Sequence, residues 1–311
     1  MATTTALSDP VAWQAEDANC PVCGSAESSR LGRRGGAAHR DGLGTTTWVL
    51  RCQTCHLVYC RPTLKPLGNP YSAYAAEDYF SGHERQEKLK NGRVLIEKAE
   101  KLLGRKGSVL ELGCGRGELL EAAAQAGWAV HGVEMTDQFA DEAASRGITI
   151  EKSSLESSTL LDREGAFDVV YLAAILEHVY DPVTCLKRIR QALSPGGIVF
   201  IDVPNECSLR TRIGNAYMRV RGRNWAVNLS PTFPPFHVVG FCPQSLKYAL
   251  AAAGIEVVDL QVVRWPDALP ARGGFWSSLE GLGSKAVNGL GNLLGDGDGI
   301  VCWGRNTAPS G

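Results

Sequence analysis

Two periodicities organise the chain. Short apolar runs at 108–112, 129–134, 167–173, 198–203, 255–263 and 299–305 predict strands, and helical spacing predicts helices over 118–125, 181–193 and 243–253. Asp181-Pro182 supplies an N-cap and first helical residue, and Ser194-Pro195-Gly196-Gly197 stops that helix. The alternation calls for an α/β fold, a doubly wound and mostly parallel sheet with helices on both faces. Upstream, Leu89, Val94, Ile96, Leu102 and Leu103 lie among charges in 88–107, which reads as an amphipathic helix leading into this domain. Residues 61–82, rich in Pro, Gly and Tyr, read as a connector without a periodic element, so a domain boundary falls there. Residues 45–51 (TTTWVLR) form a further predicted strand.

Composition narrows the picture. Of 311 residues, 44% are apolar and 21% charged, which excludes wholesale disorder. Thirty-two Lys plus Arg against 33 Asp plus Glu give a net charge of -1, so no global positive field favours nucleic acid as a partner. The N-terminus lacks the basic start and apolar stretch of a signal peptide, and no apolar run approaches the ~18 residues of a membrane span. A cytoplasmic protein without membrane insertion is expected, and in that reducing compartment the ten cysteines are read first as metal ligands.

Cys20-Pro-Val-Cys23-Gly24 and Cys52-Gln-Thr-Cys55 are two knuckles joined by the short stretch 25–51, a spacing at which four thiolates close a tetrahedral site around one zinc ion. A module of this size has too small a core to fold alone, so the zinc is expected to be structural. Cys60 and His56 stand near enough in sequence to compete as ligands. The basic string Arg30, Arg33, Arg34, His39 and Arg40 reads as a solvated loop, with contact to an anionic partner as the alternative.

The strand 108–112 runs into Gly113-Cys114-Gly115-Arg116-Gly117 and then a helix, the strand, turn and helix of a nucleotide-binding unit. The next strand ends at Glu134, 21 positions after Gly113, where a carboxylate meets ribose hydroxyls. The glycines run G-x-G-x-G rather than the G-x-G-x-x-G of dinucleotide sites. Glu111, just before the loop, would oppose a pyrophosphate and favour a cationic ligand, and S-adenosyl-L-methionine fits that preference.

The ordered motifs VLELGCGRGELL, GVE, FDVVYLAAILEHVYDP and LSPGGIVFIDVPN resemble the class I S-adenosylmethionine-dependent methyltransferases over residues 85 to 265. The spelling is most similar to the small-molecule branch of quinone-pathway and natural-product enzymes. An N-terminal four-cysteine module also resembles that of sugar-pathway C-methyltransferases and of some ribosomal RNA base methyltransferases. The resemblance implies a Rossmann-like sheet of seven strands with one antiparallel edge hairpin. It also implies that Glu111, Gly113, Cys114, Gly115 and Gly117 shape the methionine end of the site and that Glu134 holds the ribose. Met135 would pack on the adenine, Ser154 and Leu155 would border its edge, and Ala173, at the end of the fourth strand, would join the cofactor-binding residues. Ser154 stands where many relatives carry Asp. Glu177-His178 resembles a metal motif of some quinone-pathway O-methyltransferases, but Ala174 occupies a further carboxylate position, so no catalytic metal is expected.

The expected organisation is a tail and zinc ribbon over 1–60, a connector over 61–84 and a methyltransferase domain over 85–311 with insertions at about 206–241 and 268–298. His178 and His237 are the candidate catalytic residues, since a neutral imidazole can take a proton as a methyl group arrives; the alternative for His178 is a hydrogen bond that holds its loop. Between Glu206 and Glu256 there is no acidic residue, whereas Arg210, Arg212, Arg219, Arg221, Arg223 and Lys247 give six cations among Tyr217, Trp225, Phe233 and Phe236. This first insertion reads as a lid over the cleft that selects an anionic small-molecule acceptor, carboxylated, phosphorylated or nucleotide-linked. The second, with Phe275, Trp276, Leu279, Leu282, Ala286, Leu290, Leu293 and Leu294 at helical spacing, reads as a stripe packed on its own domain or as an oligomer or membrane-surface contact. The rival functions are an RNA base methyltransferase that grips RNA through the zinc ribbon, and a non-catalytic cofactor-binding scaffold.

Overall fold

The computed structural model describes residues 12–70, 85–264 and 296–307. The stripe at 275–294 and residues 71–84 of the expected connector lie outside the described residues. A seven-stranded sheet forms the body. Its members are β6 (Ser108–Leu112), β7 (Ala129–Glu134), β8 (Thr149–Lys152), β9 (Phe167–Ala173), β10 (Leu193–Pro204), β12 (Ile255–Val263) and β13 (Gly299–Asn306). Their order is β12-β13-β10-β9-β6-β7-β8, with β13 antiparallel to both neighbours and the pairs from β10 to β8 parallel. The central strands are continuous apolar runs because helices cover both faces. These are α1 (Arg85–Leu103), α2 (Glu118–Gln125), α3 (Asp137–Ala144), α4 (Pro182–Ala192) and α6 (Pro243–Ala252).

Local chemistry explains the element ends. Asp181 Oδ1 accepts the Thr184 amide at 3.0 Å and caps α4, a contact that contributes about 1 kcal/mol. In α1, Ile96 and Ala99 are buried while Val94 is exposed, so the buried face is narrower than the apolar pattern implied. The Ser194–Gly197 turn does not lie outside the fifth strand as expected. It is a register irregularity within β10, between Leu193 and Ile198, with Gly196 at φ 76. At the foot of the sheet Asp168 binds Arg105, the Ser108 amide and the Ser194 hydroxyl, tying three strand starts together.

A second sheet, in order β11-β4-β3-β2, contains β2 (Ser28–Arg34), β3 (Thr47–Cys52), β4 (Val58–Arg61) and β11 (Val239–Gly240). The last of these comes from the first insertion, so the cysteine module and the insertion share one sheet. The basic string expected to be a solvated loop is in part strand β2: Arg30 and Arg33 stack on Trp48 at 4.6 and 4.7 Å, and Arg34 Nε donates to Leu229 O at 2.9 Å. Gly32 lets residues 224–226 of the insertion pack against β2, because a Cβ there would lie 2.6 Å from the backbone of Trp225 and of Ala226. The connector also departs from expectation, since Thr63–Pro66 forms β5 and pairs antiparallel with β1 (Trp13–Glu16). Leu50, Leu57 and Tyr59 of the module belong to the same apolar cluster as Leu112, Leu176 and Phe241, so the two sheets share a core.

Candidate functional site

The glycine turn leaves β6 with Gly113, Gly115 and Gly117 at φ 69, 53 and 76, a region that side chains rarely adopt. Space also demands Gly113, because a Cβ there would lie 2.2 Å from Ile175 Cδ1. That contact brings the segment after β9 against the cofactor loop. Val133 O accepts the amides of Gly113 and Cys114, and the Glu134 carboxylate accepts Gly115 N at 2.9 Å and Thr136 N at 2.7 Å. Glu134 therefore braces the turn as well as standing at the expected ribose position.

Glu111, Glu118 and Glu134 are all buried, and Glu111 Oε2 has no hydrogen-bond partner among the described residues. Burial, followed by the nearby Glu118 carboxylate, pushes the Glu111 carboxyl well above its ordinary value, with Lys88 working against the shift. Lys88 is the cation beside these carboxylates, and the unpartnered Glu111 Oε2 leaves an acceptor suited to a further positively charged ligand group. Cys114 is buried in the loop, Ala173 is exposed at the strand end and Met135 is 42% exposed beyond β7, free to meet a flat ring.

Beyond β8, Ser154 Oγ lies 3.1 Å from Ser157 Oγ, and Leu155 O accepts Arg188 Nη1 at 2.9 Å. The Glu151 carboxylate accepts the amides of Thr159 and Leu160, which outweigh burial and hold it below its ordinary value. Glu151 and Arg188 thus order the segment expected beside the adenine. Sequence reasoning passed over both, and their only signal is charge beside a predicted strand or on a predicted helix.

After β9 the backbone turns sharply, with Ala174 at φ 55. Glu177, His178 and His237 then converge, with their candidate donor and acceptor atoms within 4.8 Å of one another. His237 Nε2 lies 3.8 Å from Glu177 Oε1, and the two imidazoles meet edge to face at 5.0 Å between centroids. The Val238 amide donates to Glu177 O at 2.9 Å, so the insertion is bonded to the strand end. His178 Nδ1 lies 3.2 Å from Phe236 O, and the ring also meets the carbonyl of Ala174; burial outweighs both bonds and pushes it down to about 4. Burial, then the neighbouring His178, pushes His237 down to about 3. Both rings are neutral at pH 7. They differ in their partners: the neutral His178 has one N–H to donate and its Nδ1 lies 3.2 Å from Phe236 O, whereas His237 makes no side-chain hydrogen bond among the described residues.

The insertion contains α5 (Leu209–Val220) and its cations are not all free. Arg210 meets Asp298 at 3.3 Å and Arg212 meets Asp296 at 3.8 Å, so the carboxylates missing from the local sequence arrive from the approach to β13. Arg221 donates to the Tyr217 hydroxyl at 2.8 Å and Arg223 stacks on Trp225 at 4.4 Å.

In the cysteine module the Sγ pairs Cys20–Cys55 and Cys23–Cys52 are 3.5 and 3.4 Å apart, and the four donors lie within 4.8 Å of one another. A tetrahedron with zinc–sulfur bonds of about 2.3 Å has edges of about 3.8 Å, so these residues fit the ion. Cys60 and His56 are not in the group: Cys60 is buried on β4 in a cluster with Val49 and Ala226.

A family model described as a methyltransferase domain matches residues 82–260. The chain is 29% identical over 172 residues to the ubiquinone biosynthesis O-methyltransferase of Ralstonia nicotianae, covering 53% of this chain and 69% of that one. It is 31% identical over 173 residues to the enzyme of the same description from Pseudomonas aeruginosa, covering 53% and 70%. Its fold is similar to that of a SAM-dependent methyltransferase from Archaeoglobus fulgidus, with a TM-score of 0.50 at 18% identity over 74% of this chain and 97% of that one.

Proposed function

The chain belongs to the S-adenosylmethionine-dependent methyltransferase family, and on that footing we propose that it methylates a hydroxyl oxygen of a small acceptor bearing an anionic group. The observation that carries the choice of oxygen is His237. It is a neutral imidazole, without a hydrogen bond of its own among the described residues, beside the strand end that touches the glycine turn. Such a ring can take the proton a hydroxyl must lose, and the related enzymes quoted above are named as O-methyltransferases.

When bound, S-adenosylmethionine supplies a methyl group on a positively charged sulfur. The protein's part is to place and to neutralise. Gly113, Cys114, Gly115 and Gly117 shape the turn, Glu111 and Glu118 offset cationic charge, and Glu134 braces the turn while accepting from ribose hydroxyls. Met135, Ser154 and Leu155 border the adenine, and Ala173 leaves the strand end open. His178 holds the loop after β9 to the insertion, and His237 accepts the proton. Arg219, Arg221 and Arg223 form no ion pair among the described residues and supply forked donors suited to an oxyanion on the acceptor.

Cys20, Cys23, Cys52 and Cys55 hold one zinc ion, which links the two knuckles and leaves no open ligand position for chemistry. We place the protein in the cytoplasm, where the ten cysteines, none of them in a disulfide, stay reduced; among the described residues no helix is long and apolar enough to cross a membrane. Calorimetry with S-adenosylhomocysteine, followed by transfer of a labelled methyl group to paired phenols and anilines with and without a carboxylate, tests the reading. Transfer to carboxylated phenols is expected. Transfer to amines alone would remove the oxygen assignment, and a lack of heat would remove the cofactor.

A further inference from the structure

Glu177 is a buried carboxyl to which the mechanism above assigns no task. Its side chain is 1% exposed, and neither oxygen has a hydrogen-bond partner among the described residues. Isolated carboxylates are rarely left in that state, because an uncompensated buried charge costs several kcal/mol. The acidic side chains that face it, Asp202 on β10 and Glu206 just beyond, offer only like charge, and Arg34 of β2 stands beside Glu206. The insertion contributes His237, with Nε2 3.8 Å away, and the segment after β9 contributes His178 against that ring.

We propose that Glu177 and His237 act as one proton-accepting pair, in which Glu177 is a positioning residue that fixes the imidazole and balances the charge it acquires. The proposal rests on the O-methylation reading. In the step it serves, the O–H electron pair of the acceptor becomes the bond to the methyl carbon. The carbon–sulfur pair returns to sulfur, and the hydroxyl proton passes to the outer nitrogen of His237 while Nε2–H donates to Glu177. If Glu177 is protonated beforehand, this leaves a net positive charge in a buried site. If it is ionised, the pair ends neutral. The competent form is the ionised one.

Burial, then Asp202 and Glu206, raises the Glu177 carboxyl to about 8. The sign follows: below that pH the pair cannot accept the proton without isolated charge, and kcat rises as pH rises through it.

The test compares wild type, Glu177→Gln and Glu177→Asp for kcat and KM from pH 6 to 10. Melting temperature and S-adenosylhomocysteine affinity serve as checks of folding. Infrared difference spectra against Glu177→Gln follow the carboxyl band without any acceptor present. Glu177→Gln should lose about 100-fold in kcat at high pH and show a flat profile, with KM and product affinity held. Glu177→Asp should recover a rising limb. In wild type the protonated-carboxyl band should fade over the same pH interval in which kcat rises. Three results would overturn the pair: a wild-type limb in Glu177→Gln, a carboxyl already ionised at pH 6, or activity lost to a chelator and restored by magnesium, which would make Glu177 a cation ligand. Failure of the O-methylation reading is separately visible as an infrared titration intact while no hydroxyl compound is labelled.

Discussion

Cofactor binding should expel a proton from Glu111. In the free protein burial, then Glu118, holds its carboxyl well above the ordinary value, and Oε2 has no hydrogen-bond partner among the described residues, so burial favours the protonated form. A bound sulfonium or ammonium reverses the balance and favours the carboxylate. Linkage fixes the size of the effect: while the free carboxyl is protonated and the bound one ionised, affinity rises tenfold per pH unit, about 1.4 kcal/mol. Glu111→Gln keeps the shape and removes the titration. It should abolish the slope and cost the charged hydrogen bond, about 1.5–3 kcal/mol or roughly 10- to 150-fold in affinity at the alkaline end. Calorimetric titration with S-adenosylmethionine, repeated in buffers of different ionisation enthalpy, counts the protons released. A wild-type protein that releases none, or a Glu111→Gln protein with an unchanged slope, would refute the assignment of Glu111 as the titrating group.

Metal analysis should find one zinc per chain, lost in Cys52→Ser; because β4 pairs with β11 next to His237, the acceptor KM should rise while S-adenosylhomocysteine affinity holds, and full activity in folded zinc-free protein would contradict this. Asp168→Asn should destabilise the fold by about 1–3 kcal/mol in urea denaturation at pH 7. Burial opposes but Arg105 and the Ser108 amide hold this carboxyl below 3.8, so its contribution is present above that value and disappears as pH falls through the lowered one. An equal acid midpoint in wild type and variant would refute that. Arg219→Glu with Arg221→Glu should raise the KM of an anionic acceptor and flatten its salt dependence, with cofactor affinity intact; indifference to both would remove the anionic acceptor.

Strands whose neighbours lie in the same α/β succession were legible: Ser108–Leu112, Ala129–Glu134 and Phe167–Ala173 match the apolar runs residue for residue. Periodicity reports which face is buried, and for these elements the sheet and its helices do the burying. β2 escaped because its Arg residues obey a different logic. Their aliphatic stems and guanidinium planes cover Trp48, a contact that looks like solvated charge until β3 is placed alongside. β11 is a single short pair, Val239–Gly240, with no pattern of its own. It is a strand because Tyr59 and Val58, far upstream in the chain, offer it an edge.

The site divides along the same line. The glycine turn, Glu111 and Glu134 are contiguous with predicted strands, so the sequence could place them at neighbouring strand ends, which the structure brings together. The side proposed to take the acceptor is assembled across the chain: Glu177 and His237 come from separate elements with α4, β10 and α5 between them, and the cations of α5 find Asp296 and Asp298 only at the approach to the last strand. A count of charges along the segment therefore overstated its field, and two histidines that look alike in sequence acquired different surroundings. His178 lies within hydrogen-bond reach of Phe236 O, and His237 was left with a buried acid for its neighbour. The cysteine module enters through the same non-local contacts. Its strand β4 pairs with the backbone that follows His237, so whatever orders the cysteine knuckles also orders the position of that imidazole.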